Sequence, residues 1–217
     1  MAKKRMNLPN RLTIFRIILV LVMVVVSFFD ISGEVYGIPM KMIVLDLIFI
    51  VASITDKLDG TIARKTNQVT TFGKFLDPIA DKILVIAALI MFVEMGRVPA
   101  WIPIIVVFRE FAVSGYRLIA VQNSGKVVAA NMWGKIKTVT QMLAIILMFL
   151  TTHPYFSFVF RTSSKVQAAI YSAKIYMTTG EYVLNIVASI LLTISVIATV
   201  FSGYEYLKKG KDLLKDC

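Results

Sequence analysis

Four aspartates set the chemistry this chain could perform. The stretch Asp56-Lys57-Leu58-Asp59-Gly60, continuing to Ala63-Arg64, is followed by Gly73, Asp77, Asp81 and Lys82. On a helix turning about 100° per residue, Asp56, Asp59, Gly60, Ala63 and Arg64 fall within about 140° of arc. Gly73, Asp77 and Asp81 advance by only about 40° at each step, so they form a second stripe. Four carboxylates brought together repel one another and need a compensating cation. With only oxygen donors, and no His or Cys among them, they suit a hard ion such as Mg²⁺, or Mn²⁺. Two such ions about 4 Å apart would clamp a pyrophosphate and stabilise in-line displacement at phosphorus. Gly60 and Gly73 lack a Cβ and let a bulky ligand approach the backbone; Ala63 does so less completely. Arg64 supplies a charge for phosphate. The competing explanation pairs the acids with Lys57, Lys74 and Lys82 as ordinary helix-end carboxylates. It fits any one aspartate better than it fits four aligned ones with two glycines.

The elements that must hold these residues are membrane helices. The chain has 217 residues, 58% of them hydrophobic, and a mean hydropathy of +0.77. Spanning a bilayer takes about 20 mostly apolar residues. Six stretches qualify: 14–29, 41–58, 79–95, 99–121, 133–152 and 183–204. The second, third and fourth contain charges. Such groups are costly in a membrane and face a bundle interior or wet cavity. The reading is therefore all-α and integral to the membrane, with six spans in one domain, 1–217. A juxtamembrane segment, 1–12, lies on the surface and breaks at Pro9-Asn10. Residues 153–182 form the longest outer loop, and 30–40 a shorter one. Pro78 either kinks its helix or sits in the first turn.

Charge orients the bundle. The net charge is +11. With the N-terminus inside, eighteen basic residues, among them Lys3, Lys4, Arg64, Lys135 and Lys208, fall on inner segments. Five, including Lys41, Arg97 and Lys174, fall on outer ones. Both termini are then cytoplasmic, and so are the inner ends of the acidic stripes. That bias argues against nucleic acid and suits anionic lipid or substrate. Arg16 near the start of the first apolar run, and the bulky exit Ser27-Phe28-Phe29-Asp30, fit a retained helix better than a cleaved signal. Cys217 is too close to the end for prenylation. His153 is expected in an exposed loop. Asp46 lies mid-span, about three turns from the motif.

The acidic pattern resembles the signature of the CDP-alcohol phosphotransferase family, D-x2-D-G-x2-A-R-x8-G-x3-D-x3-D. Every fixed position is present between Asp56 and Asp81. The resemblance implies a six-helix membrane enzyme, generally a homodimer, that moves a phosphatidyl or related group from a CDP-alcohol to a hydroxyl and releases CMP. By position, Asp56, Asp59 and Asp77 become metal ligands, and Asp81 both ligand and general base. Gly60, Arg64 and Thr70 become contacts to the CDP-lipid, with Ala63 and Gly73 beside them. Three further stretches are similar to bacterial members whose acceptor is sn-glycerol 3-phosphate: Asn7 to Arg16, Arg109 to Arg117, and Gly134 to Gln141. Asn10 and Thr13, one turn apart, could reach the nucleotide. The implied substrates are CDP-diacylglycerol and sn-glycerol 3-phosphate, and the implied place is the inner membrane of a bacterium with the site facing the cytoplasm. Arg109, Arg117, Lys135 and Lys137 are candidates for the acceptor phosphate. Their other explanation is inner-face topology with snorkelling side chains, and Arg109 has a partner at hand in Glu110.

Inositol-, serine- and cardiolipin-forming relatives remain alternative readings within the family. An ion-coupled transporter would show repeats or broken helices at mid-membrane depth, and none is seen. A polyprenyl transferase shares clustered aspartates and Mg²⁺ but not the Asp-Gly-x-x-Ala-Arg continuation.

Overall fold

The computed structural model describes residues 8–66, 71–124, 132–155 and 179–210, with side chains over 10–56, 79–117, 132–155, 179–206 and at 208. Six helices occur among them: α1 Leu8–Ser27, α2 Met40–Thr66, α3 Thr71–Glu94, α4 Trp101–Ser124, α5 Met132–Leu150 and α6 Thr179–Gly210. They correspond one to one with the six expected spans. Three of them, α1, α5 and α6, are long and apolar enough to cross a membrane. The contacts divide the chain into two compact units, Met1–Met91 and Phe92–Cys217.

In the first unit α1 packs on α2. The buried stripe of α1 is Asn10, Thr13, Arg16, Val20 and Met23, while Ile18, Leu21 and Val25 lie exposed. An apolar outer face and a polar inner one are what a lipid solvent selects. On α2 the buried residues Leu45, Phe49 and Ala52 recur at the spacing of one helical face. Asp46 is buried too, and its Oδ1 has no hydrogen-bond partner among the described residues.

Several boundaries differ from expectation. The first helix is described from Leu8, so Pro9 and Asn10 lie inside it rather than marking a break, and residues 8–12 are helical. Proline is tolerated there because the first-turn N–H groups have no intrahelical acceptor. The rest of the juxtamembrane segment, 1–7, lies outside the described residues. Pro78 is the eighth residue of α3, so the first-turn alternative is ruled out. Both α2 and α3 run beyond their apolar stretches to carry the motif. The 30–40 loop contains a small antiparallel hairpin, Glu34–Val35 with Ile38–Pro39. Tyr36 and Gly37 both have positive φ (52° and 78°), as a tight two-residue hairpin turn of this hand requires.

In the second unit α6 packs on α5 and α4. Its buried seam mixes Leu192 and Val196 with many small or polar residues: Ala188, Ser189, Ser195, Thr199 and Ser202. Small residues let helix backbones approach where lipid gives no hydrophobic drive. α6 is described from Thr179, so residues 179–182 of the segment expected as an outer loop are helical. The turn after α3 closes with Gly96 at φ 68°, its N–H donating to the Val93 carbonyl and that of Arg97 to the Phe92 carbonyl. This is the glycine-terminated helix end that satisfies orphan carbonyls.

Arg97 then reaches the end of α5. Its Nη1 donates to the carbonyls of Met148 (3.1 Å) and Thr151 (2.7 Å). Burial pushes its pKa down to about 10, so it stays charged at neutral pH. His153 is buried, against expectation, at 5% exposure. Its carbonyl accepts from Asn185 Nδ2 at 3.2 Å, which fastens this turn to α6.

Burial holds the His153 imidazole below its ordinary pKa of 6.5; the Glu181 carboxylate opposes this and Arg97 adds to it. The unfolded chain therefore takes up the proton first as pH falls through about 6.5. Stability from this site is full above that value and declines below it. The apparent Tm of the purified protein should drop between pH 7.5 and 5.5, and His153→Gln should reduce the drop. An unchanged pH slope in that variant would rule His153 out as its source.

Candidate functional site

The first polar centre belongs to the first unit. All eight signature positions fall on two continuous helices: Asp56, Asp59, Gly60, Ala63 and Arg64 on α2, and Gly73, Asp77 and Asp81 on α3. Continuity matters because a break within either run would scatter the stripes. The side chains of Asp59, Gly60, Ala63, Arg64, Gly73 and Asp77 lie outside those described, as does Thr70 altogether.

Asp56 and Asp81 are described, and both are half-buried. Arg16, from α1, places Nη1 2.7 Å from Asp56 Oδ1. Its side chain is 0% exposed, against 33% for that of Asp56. Asn10 and Thr13, the expected nucleotide contacts, are buried on the same stripe of α1 as Arg16. The acid end of α2 is thus served by a polar stripe on its neighbour. Sequence reasoning used Arg16 only for topology and resemblance. The signal available was its spacing, three residues beyond Thr13 and six beyond Asn10, which puts all three on one helical face.

The donor set fits a hard divalent cation. The only histidine and the only cysteine of the chain are His153 and Cys217, so the motif can offer oxygen alone. Carboxylates of this kind bind Mg²⁺ or Mn²⁺.

The second polar centre belongs to the second unit. Glu110 on α4 is its hub. Its Oε1 accepts from Arg109 Nη1 at 2.8 Å and from Lys137 Nζ on α5. Arg109 Nη2 also donates to Ser202 Oγ on α6, at 2.5 Å. One carboxylate and two cations thus join three helices and leave a net positive charge. Further along α4, Arg117 Nη2 donates to Tyr206 Oη at 2.8 Å, with the guanidinium carbon 5.3 Å from the ring centroid. Of the four residues expected at an acceptor phosphate, Arg109 and Lys137 are brought together, Arg117 is held by Tyr206, and Lys135 is exposed. Tyr206 and Ser202 had no sequence signal beyond their places in an apolar helix.

The family model for CDP-alcohol phosphatidyltransferase matches residues 6–201. A relative from Bacillus subtilis (strain 168), CDP-diacylglycerol–glycerol-3-phosphate 3-phosphatidyltransferase, is 40% identical over 214 residues, covering 96% of this chain and 97% of its own. Relatives with the same name come from Haemophilus influenzae, at 35% identity over 98% and 97%, and from Rickettsia felis, at 36% over 94% and 96%.

Proposed function

The chain belongs to the CDP-alcohol phosphatidyltransferase family, and on that premise we propose how it works: it transfers the phosphatidyl group of CDP-diacylglycerol to sn-glycerol 3-phosphate, giving phosphatidylglycerophosphate and CMP. It is an enzyme of phospholipid synthesis and a membrane protein. The carrying observation is that all eight signature positions lie on two unbroken helices in a chain 40% identical, over nearly its whole length, to a relative named for this reaction. The region 1–217 acts as one catalytic membrane domain in the bacterial inner membrane, with six spans and both termini in the cytoplasm. It works as a homodimer among anionic lipids, and nucleic acid is no partner.

Members of the family generally use divalent metal ions. Asp56, Asp59, Asp77 and Asp81 would hold two of them, Mg²⁺ or Mn²⁺. When bound, the metal supplies positive charge to the pyrophosphate and to the departing CMP. The protein does the rest. Asn10 and Thr13 orient the nucleotide. Arg64 and Thr70 hold the CDP-lipid phosphates, and Gly60, Ala63 and Gly73 leave them room. Asp81 takes the proton of the attacking hydroxyl. Arg109, Arg117, Lys135 and Lys137 receive the acceptor's phosphate.

The test is CMP release from CDP-diacylglycerol with a panel of acceptors. Glycerol 3-phosphate should support turnover; free inositol, serine and phosphatidylglycerol should not. Equal use of an uncharged acceptor would move the chain to another branch of the family. Arg117→Ala should raise the acceptor KM more than the CDP-lipid KM. Arg117→Lys should also weaken acceptor use, because a guanidinium offers phosphate paired N–H donors that an ammonium lacks. An unchanged acceptor KM in both variants would remove Arg117 from the acceptor site.

A further inference from the structure

Arg16 has no part in the mechanism above, yet among the described residues it is the most deeply buried charge of the first unit. Its side chain is fully buried, and its Nη1 lies 2.7 Å from Oδ1 of the first motif aspartate. Burying a guanidinium is costly unless it is well paired. If packing were its only task, an apolar residue of similar size would serve at least as well. The pair also joins α1 to the point on α2 where negative charge begins to accumulate. The sequence puts the other motif carboxylates on that part of α2 and on α3, and a guanidinium remains charged at any working pH. Asp56 is engaged through Oδ1, but a third of its side chain is still exposed. The same carboxylate thus remains accessible to solvent while it is paired.

We infer that Arg16 is a positioning residue standing in for a cation: it fixes the Asp56 carboxylate and offsets motif charge whenever divalent metal is absent. The inference rests on the reading that the four aspartates take metal. Arg16 and the metal then stabilise the same carboxylate, so loss of Arg16 costs most when metal is missing. A residue that merely packed α1 on α2 would matter equally in both states.

The experiment measures apparent Tm for the full chain in detergent, at one scan rate, in excess chelator and in saturating Mn²⁺. The wild-type chain should gain stability with Mn²⁺. Arg16→Met should lose roughly 6 °C or more in chelator, as for a broken buried ion pair in a chain of this size. Mn²⁺ should restore most of that loss. Arg16→Lys, keeping the charge without the planar fork, should fall between the two. Arg16→Met with Asp56→Asn should recover stability in chelator, because the acid that needed the guanidinium is gone. Should Arg16→Met fail to fold in either condition, Arg16→Lys decides by the same comparison. An equal loss with and without Mn²⁺ would overturn the inference. No response of the wild-type chain to Mn²⁺ would overturn the metal reading itself, and the inference with it.

Discussion

Asp56→Asn, Asp59→Asn and Asp77→Asn should each cut CMP release by about 10³-fold or more while leaving the protein in the membrane. The size follows from the role. Charge stabilisation by bound metal is worth several kcal/mol in a transition state, and each ~1.4 kcal/mol is about tenfold in rate. An amide keeps the shape of the side chain but removes the negative charge that makes it a good ligand for a hard ion. Chelator should abolish turnover in the wild-type chain, and Mg²⁺ or Mn²⁺ should restore it. Membrane retention follows from the apolar spans, which these substitutions do not touch. Near-normal release by any one variant, or full activity in chelator, would sink the four-acid metal site. Asp56→Asn carries an added consequence, because it removes the ion-pair partner of a fully buried arginine. It should destabilise the metal-free protein as well as inactivate it.

Asp81→Asn should retain binding of CDP-diacylglycerol with metal but release CMP about 10²- to 10⁴-fold more slowly, the range for loss of a general base. A hydroxyl attacks phosphorus poorly until its proton is taken. Asp81 is the last acid of the α3 stripe, one turn beyond Asp77, and its half-buried side chain leaves it approachable. Asp81→Glu should keep a trace of activity, because the carboxylate survives but is displaced by a methylene. Binding and CMP release must be measured on the same purified variant. Loss of CDP-lipid binding would make Asp81 a metal ligand alone. Normal release would assign the proton transfer to another group.

The residues proposed to do the chemistry were legible because their pattern is local. Asp56 to Arg64 and Gly73 to Asp81 each fit within three helical turns, and helical period alone places them on one face. The six helices were legible for the same reason. Each begins from an apolar run long enough to read as a helix. Helix boundaries were less so. Pro9 and Asn10 read as a break before the first span but lie within α1. His153 read as a loop residue and is buried, because burial depends on what lies across the turn, here Asn185.

What the sequence by itself determined, then, is the acidic motif, the helices that carry it and the family to which both belong. Their information lies within a few residues along the chain or in the hydropathy of one segment. Tertiary structure alone decided which charge answers which. Arg16 meets Asp56 across forty positions, Lys137 meets Glu110 across twenty-seven and Arg117 meets Tyr206 across eighty-nine. No period or composition encodes such pairings. They arise when helices pack and each buried charge must find a partner, since the membrane interior offers no water to replace one.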